Sequence, residues 1–230
     1  LEKELKAGMT TFEVDRLGEE MIRSFGCIPS FKNYNGYPAS VCVSINEEVV
    51  HGIPSRKRII QEGDVVSLDI GVLHKGYHSD AARTHAVGEV PEPVKLLIER
   101  TRQSFFEGIK YAVAGNRLHE ISNAIGDYAE SFGYGVVEDL CGHGIGSHLH
   151  EDPEIPNFRQ LRRGIKLRPG MTLAIEPMIN MGTADVFWLD DDWTVVAADR
   201  SLSAHYENTI VITEGKPEIL TLTDDEIMLL

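Results

Sequence analysis

The chain has 230 residues, with 36 Asp and Glu against 22 Lys and Arg, so its formal net charge is −14. An acid excess of that size argues against nucleic acid or an anionic membrane as partner, because both call for clustered Lys and Arg, and no apolar run approaches the roughly 18–20 residues that cross a bilayer. Three widely spaced cysteines, Cys27, Cys42 and Cys141, form no disulfide framework and fit a reducing, cytoplasmic setting.

The chain opens at Leu1 without an initiator Met, in a stretch that reads as helix, so an N-terminal helix is expected to be truncated. Thr10-Thr11-Phe12-Glu13 reads as a capping box, and Val14, Leu17, Met21 and Phe25 then recur at helical spacing up to Gly26. Val41–Val50 is strand-like and Val65–Val72 strongly so. A turn around His74-Lys75-Gly76 returns the chain along Tyr77–Val87. Pro91-Glu92-Pro93 opens a second helix, with Pro93 suited to its first position and Val94, Leu97, Ile98, Phe105 and Ile109 on one face. Asn116 is placed to cap a third, carrying Leu118, Ile121, Ile125, Tyr128 and Phe132 and closed by Gly133. From Val136 onward short strands alternate with Gly and Pro turns.

The sequence repeats itself once. A shift of 107 lays residues 7–26 on 114–133, with identities at Ala7, Gly8, Glu13, Ser24, Phe25 and Gly26. Six matches in twenty compare with about one by chance. The same shift puts Gly63 on Gly170 and Asp69 on Glu176. Two related halves, about 1–113 and 114–230, are therefore expected to pack around a shared site within one domain, 1–230.

Asp69 sits inside the apolar run Val65–Ile70, where an unpaired carboxylate costs several kcal/mol. Asp80 lies across the turn, and in a hairpin with a two-residue loop the pair shares a face, directly opposite or diagonal. Such carboxylates repel unless divalent metal lies between them. Glu176 and Glu207 repeat the theme in Thr172–Met178 and His205–Ile212. His143, flanked by glycines, can present its imidazole to a metal, and His150 and His51 sit in distinctive Gly- and Pro-containing contexts. The other histidines, His205 among them, read as structural or surface residues, and the run Asp190-Asp191-Asp192 as a solvated turn. No Gly-x-Ser-x-Gly elbow or phosphate loop is present, and neither Cys42 nor Cys141 has an activating setting for a thiol nucleophile.

Together with Tyr34-Asn35-Gly36-Tyr37-Pro38, Val50-His51-Gly52-Ile53-Pro54, Cys141–Gly146, Ile175-Glu176-Pro177-Met178 and Asp199 through Glu207, these residues resemble the type 1 methionine aminopeptidases over nearly the whole chain. The resemblance implies an α/β (α+β) pita-bread fold: two pseudo-symmetric halves around a curved antiparallel sheet, helices outside. It implies two divalent ions, Co, Mn, Fe or Zn, held by Asp69, Asp80, His143, Glu176 and Glu207, with Asp80 and Glu207 shared. A metal-bridging hydroxide is the implied nucleophile and Glu176 the proton carrier, while His51 and His150 bind the scissile peptide. Phe31, Tyr34, Tyr37, Cys42, Leu149 and Trp193 are the implied methionine pocket. The implied substrate is a nascent polypeptide or peptide with an N-terminal Met before a small residue, met by a monomer that can associate with the ribosome. Only 30 residues separate Glu176 from Glu207, too few for the inserted subdomain of type 2 relatives. Two rival readings are a pita-bread peptidase of the Xaa-Pro class and a catalytically silent binding module, which typically lacks one or more ligands.

Overall fold

In a computed structural model of the chain, residues 1–223 and Glu226 are described. The capping box forms: Thr10 Oγ1 accepts from the Glu13 N–H at 3.2 Å, Glu13 Oε2 accepts from the Thr10 N–H at 2.8 Å, and α1 runs Thr11–Ser24. Its buried stripe is Thr11, Val14, Asp15, Gly18 and Ile22. Met21 and Phe25, expected on that face, are instead 41% and 77% exposed. The stripe is set by close approach at Gly18, where a Cβ would meet Val41 Cγ2 at 2.4 Å, and that rotates Met21 and Phe25 outward.

The helices α2, Glu92–Ile109, and α3, Leu118–Glu130, start within a residue of expectation. Pro91 caps α2, so Glu92 takes the first helical position and Pro93 the second. Arg117 rather than Asn116 caps α3: Glu120 Oε2 accepts the Arg117 N–H at 2.6 Å, while the Asn116 amide turns back to the Tyr111 carbonyl at 3.0 Å. Phe132 lies beyond the helix and is 40% exposed. No helix among the described residues is long and apolar enough to cross a membrane.

Strands Val65–His74 and Tyr77–Ala86 pair through a two-residue turn at Lys75 (φ +49°) and Gly76 (φ +87°), the geometry that matches strand twist. Asp80 stands opposite Gly71 and Asp69 opposite Ala82, so the two carboxylates are diagonal neighbours on one face. The run Val41–Val50 is divided: Cys42–Ile45 pairs with Val65–His74, whereas Glu48–Val50 pairs with Val195–Ala197, the break falling at Asn46 with φ +61°. In the second half, Glu218–Ile219, Asn208–Val211, Thr172–Ile175, Gly142–Gly144 and Glu151–Ile155 lie side by side in one sheet. Every described strand pairing is antiparallel. The expected single curved sheet is thus built from separate ladders. Those carrying the site are stitched together where Ala82 and Glu207 exchange both backbone hydrogen bonds, at 3.3 and 2.9 Å.

The repeat survives in three dimensions. Thr10 bridges Ile59 and, 107 residues on, Arg117 bridges Lys166. Gly8 and Gly115, both left-handed (φ +90° and +97°), donate to the carbonyls of Ile60 and Leu167 at 2.8 and 3.0 Å. Each half keeps its own core, Val14, Val41, Val43, Ile60 and Val66 in the first, Ile121, Ile125, Leu173, Ile175 and Ile210 in the second. Phe105 of α2 packs into the second.

Candidate metal centre

The strand positions bring all five sequence-selected ligands to one cavity of about 380 Å³ between the halves. Asp69, Asp80, His143 and Glu207 are buried, and the Glu176 side chain is 14% exposed. Ligand atoms of Asp80, His143 and Glu207 lie within 4.8 Å of one another. Burial pushes the Asp69 carboxyl up to about 7, and burial, then mutual repulsion, raises Asp80, Glu176 and Glu207 well above the usual carboxylate range. Asp69 Oδ1 is buried without a hydrogen-bond partner in the protein. The Ala81 N–H on Asp80 Oδ1, at 3.0 Å, is far too little to offset four carboxylates clustered in this way, and such a cluster calls for a cation. The residues therefore fit divalent metal: hard oxygen ligands with one imidazole.

The histidine tautomers support this. His143 Nδ1 lies 2.8 Å from the Gly144 carbonyl oxygen, which can only accept, so Nδ1 carries the hydrogen. Its Nε2 lone pair is left facing Glu176 Oε1 at 3.7 Å. Burial lowers the His143 imidazole to about 4, so it is neutral at pH 7. His150 Nδ1 is 2.8 Å from the Tyr34 hydroxyl, the two rings are stacked, and the His143 ring meets His150 at a tilt of 49° with ring centroids 4.2 Å apart. His51 holds φ +60°, a conformation rare outside glycine, and burial lowers it to about 4. The segment is fixed from below: Tyr37 donates its hydroxyl to the Gly52 carbonyl at 2.9 Å, and a Cβ on Gly52 would meet the Val43 carbonyl oxygen at 2.3 Å.

The apolar wall of the same cavity is Phe31, Tyr34, Tyr37, Cys42, Leu149 and Trp193. Tyr37 and His51 both meet the Trp193 ring edge-on, at centroid distances of 5.0 and 6.2 Å. Burial holds both the Cys42 and the Cys141 thiol above the ordinary range, the opposite of the lowered value that activates a thiol nucleophile.

Some contributors escaped the sequence. Asn35 also lines the cavity. Thr209 Oγ1 accepts the Asp80 N–H at 2.8 Å and donates to the Asp80 carbonyl at 2.9 Å, tying this first-half carboxylate to the second half. Arg83 donates to the Glu207 carbonyl at 2.5 Å and to both carboxylate oxygens of Glu226 at 2.8 Å, and lies over the Tyr206 ring. Asp191, in the exposed acidic turn, accepts the N–H groups of Trp193 and Thr194 and so sets the pocket's indole. His205, assigned above to structure or surface, is 1% exposed beside Glu176 and Glu207. Nothing in a linear pattern marks these contacts, which join residues up to 143 positions apart.

A buried carboxylate cluster with a neutral imidazole, beside an apolar cavity, defines a metal-dependent hydrolase centre. The chain belongs to metallopeptidase family M24, which matches residues 1–214. It is 56% identical to the methionine aminopeptidase of Clostridium acetobutylicum over 97% of this chain and 90% of that one. It is 48% identical to methionine aminopeptidase 1 of Bacillus subtilis, over 96% and 89%. The crystal structure of methionine aminopeptidase from Thermotoga maritima superimposes with a TM-score of 0.94 at 44% identity, covering 96% and 89% of the two chains. The pita-bread fold expected from the sequence is the fold of this chain.

Proposed function

We propose that the protein is a divalent-metal-dependent aminopeptidase that removes an N-terminal Met from proteins and peptides whose second residue is small. The observation that carries this is one cavity with Asp69, Asp80, His143, Glu176 and Glu207 at one end and an apolar wall at the other. Its size suits an unbranched thioether side chain laid against aromatic rings. The names of relatives at 48–56% identity support the same reading over the Xaa-Pro alternative.

Asp69, Asp80, His143, Glu176 and Glu207 would hold two divalent ions of the Mn, Fe, Co or Zn type. Bound there, the ions supply an activated water and an electrophile for the scissile carbonyl. The chain does the rest. Glu176, whose carboxyl is raised by burial, takes the proton of the attacking water and passes it to the leaving amine. Tyr34 donates its hydroxyl to His150 Nδ1, which leaves His150 Nε2–H free to hydrogen-bond the developing oxyanion. His51, neutral and held in place by the Gly52 contacts, hydrogen-bonds the scissile peptide from the other side. Such donors are worth about 3–4 kcal/mol each. The apolar wall positions the Met side chain, and Trp193 closes it. Nascent chains are the natural substrates on this reading, met in the cytoplasm by a monomer, with the ribosome as the place of encounter.

The test uses metal-depleted protein re-supplied with Co²⁺ or Mn²⁺ and offered Met-Ala-Ser or Ala-Pro-Ala. Metal-dependent cleavage of the first peptide alone is expected. Cleavage of only the second, or cleavage without metal, would overturn the proposal.

A further inference from the structure

His205 is among the most deeply buried polar side chains of the protein, 1% exposed, and neither ring nitrogen has a hydrogen-bond partner within it. A buried polar group left unpaired costs roughly 1–3 kcal/mol, so a histidine kept this way demands an explanation. Its surroundings supply one. Nε2 faces Glu176 Oε2 at 3.7 Å and Glu207 Oε2 at 4.0 Å. Among the described residues, no hydrogen bond reaches the carboxylate oxygens of either glutamate. Glu176 therefore stands between two imidazoles: Oε1 faces His143 and Oε2 faces His205.

The two imidazoles are set up differently. His143 gives its Nδ1 hydrogen to the Gly144 carbonyl, which frees Nε2 as a lone pair. His205 has no such carbonyl at Nδ1, so nothing forces the hydrogen away from Nε2. Its backbone, in contrast, is clamped at both polar groups: Thr84 Oγ1 accepts the His205 N–H at 2.8 Å and donates to the His205 carbonyl at 2.8 Å. Thr84 Oγ1 is itself hydrogen-bonded to the hydroxyl of Ser67, two residues before Asp69, at 2.8 Å. Across the ladder, His205 pairs with Met178, two residues after Glu176, and it precedes Glu207 by two. The backbone that carries the imidazole is thus tied to the strands that bring carboxylates to this end of the cavity.

We infer that His205 is a positioning residue: its Nε2–H is a donor that orients the carboxylates of Glu176 and Glu207 for metal. The separations of 3.7 and 4.0 Å exceed a hydrogen bond, and a small rotation of either side chain closes one of them. A donor on the oxygen remote from the ion fixes which oxygen faces it, the role that hydrogen-bonded partners of metal ligands play generally. The inference rests on the metal reading above.

The experiment compares wild-type protein, His205→Gln and His205→Leu, each stripped with chelator and titrated calorimetrically with Mn²⁺ alone, alongside melting curves of the metal-free forms. His205→Leu should weaken Mn²⁺ binding by about 10–100-fold. His205→Gln, which keeps an N–H donor on a flexible stem, should recover most of that loss. Unchanged Mn²⁺ affinity in His205→Leu would overturn the inference. So would equal weakening in both variants, which would mark a packing role. If His205→Leu does not fold, ¹⁵N spectra of histidine in the wild-type protein decide: the Nε2–H tautomer is expected at His205, and the Nδ1–H tautomer overturns the inference. Failure of the wild type to bind Mn²⁺ would instead remove the metal reading, and this inference with it.

Discussion

One backbone device occurs twice in this chain, yet the chemistry it supports occurs once. Thr10 bridges Ile59 before α1, and Arg117 bridges Lys166 before α3, with left-handed glycines two residues earlier in each case. A shift of 107 also carries Asp69 onto Glu176. There the equivalence of site residues ends. Asp80 falls on Phe187, which is 37% exposed; His143 falls on Gly36; Glu207 falls on Arg100 in α2. The first half supplies its two proposed ligands from a single hairpin, as diagonal neighbours on one face. The second supplies the three other proposed ligands from separate places: the Gly142–Gly144 strand, the residue after Thr172–Ile175, and the residue before Asn208–Val211. Symmetry fixes where strands run and turn. A reaction needs groups of unequal length and role, so the equivalent pair has diverged to a short Asp and a longer Glu.

That divergence gives the largest expected effect. If Asp69 only holds metal while Glu176 also moves protons, the two halves should respond unequally to isosteric neutralisation. At saturating Mn²⁺, Glu176→Gln should lower kcat by about 10²–10⁴-fold, the scale of a lost general acid–base group. Asp69→Asn should show its loss mainly in metal affinity and recover activity as Mn²⁺ is raised. Steady-state rates across a metal titration distinguish them, and matching kcat values at saturation would break the asymmetry. Next in size, His150→Ala should cut kcat about 10²–10³-fold. Metal content per chain should stay at the wild-type level, since His150 meets Tyr34 and His143 rather than the carboxylates. Loss of metal in His150→Ala would make it a sixth ligand and enlarge the second half's share.

A smaller effect is expected at the apolar wall. Leu149 is 2% exposed and packs with Phe31, Tyr37 and Ile145. Leu149→Ala should reduce kcat/KM for Met-Ala-Ser about tenfold through looser side-chain contact, with little change in Mn²⁺ affinity. A large drop in metal affinity instead would show that wall and centre are one mechanical unit.

These residues also show what a linear pattern can carry. The hairpin was legible because period-two alternation, a two-residue turn and an odd sum of positions together fix face and register. Buried carboxylates were legible because a charge inside an apolar run is costly and therefore informative. The cap of α3 was misplaced by one residue because Asn116 is the stronger intrinsic cap, and only the pairing of Arg117 with Lys166 shows where the helix begins. Phe25 shares the helical spacing of Val14 yet lies outside the buried stripe, because spacing gives a stripe but not its width, and the stripe centre is set by Gly18 against Val41. Arg83, Thr209 and His205 could not be read at all. Each acts across the seam between halves, through partners more than a hundred residues away or through a strand register set by the whole sheet.

The smallest effect concerns the stability of metal-free protein, and its sign separates a carboxylate built for a cation from one merely tolerated. Burial holds the Asp69 carboxyl at about 7 against an ordinary 3.8. A folded value above the unfolded one means that the native state binds the proton more tightly. The contribution is complete below about pH 4 and is lost as pH rises through about 7. In chelator, Asp69→Asn should therefore melt at a temperature close to wild type at pH 5 and above it at pH 8. His51, His143 and His205, all lowered by burial, lose stability in the opposite direction as pH falls, but they are common to both proteins and cancel in the difference. Adding Mn²⁺ at pH 8 should reverse the order, because only the wild type keeps the full ligand set and ion binding stabilises the folded state by mass action. A melting-temperature difference that ignores both pH and Mn²⁺ would mean that the Asp69 charge is compensated by the protein itself, and that the first half contributes one ligand rather than two.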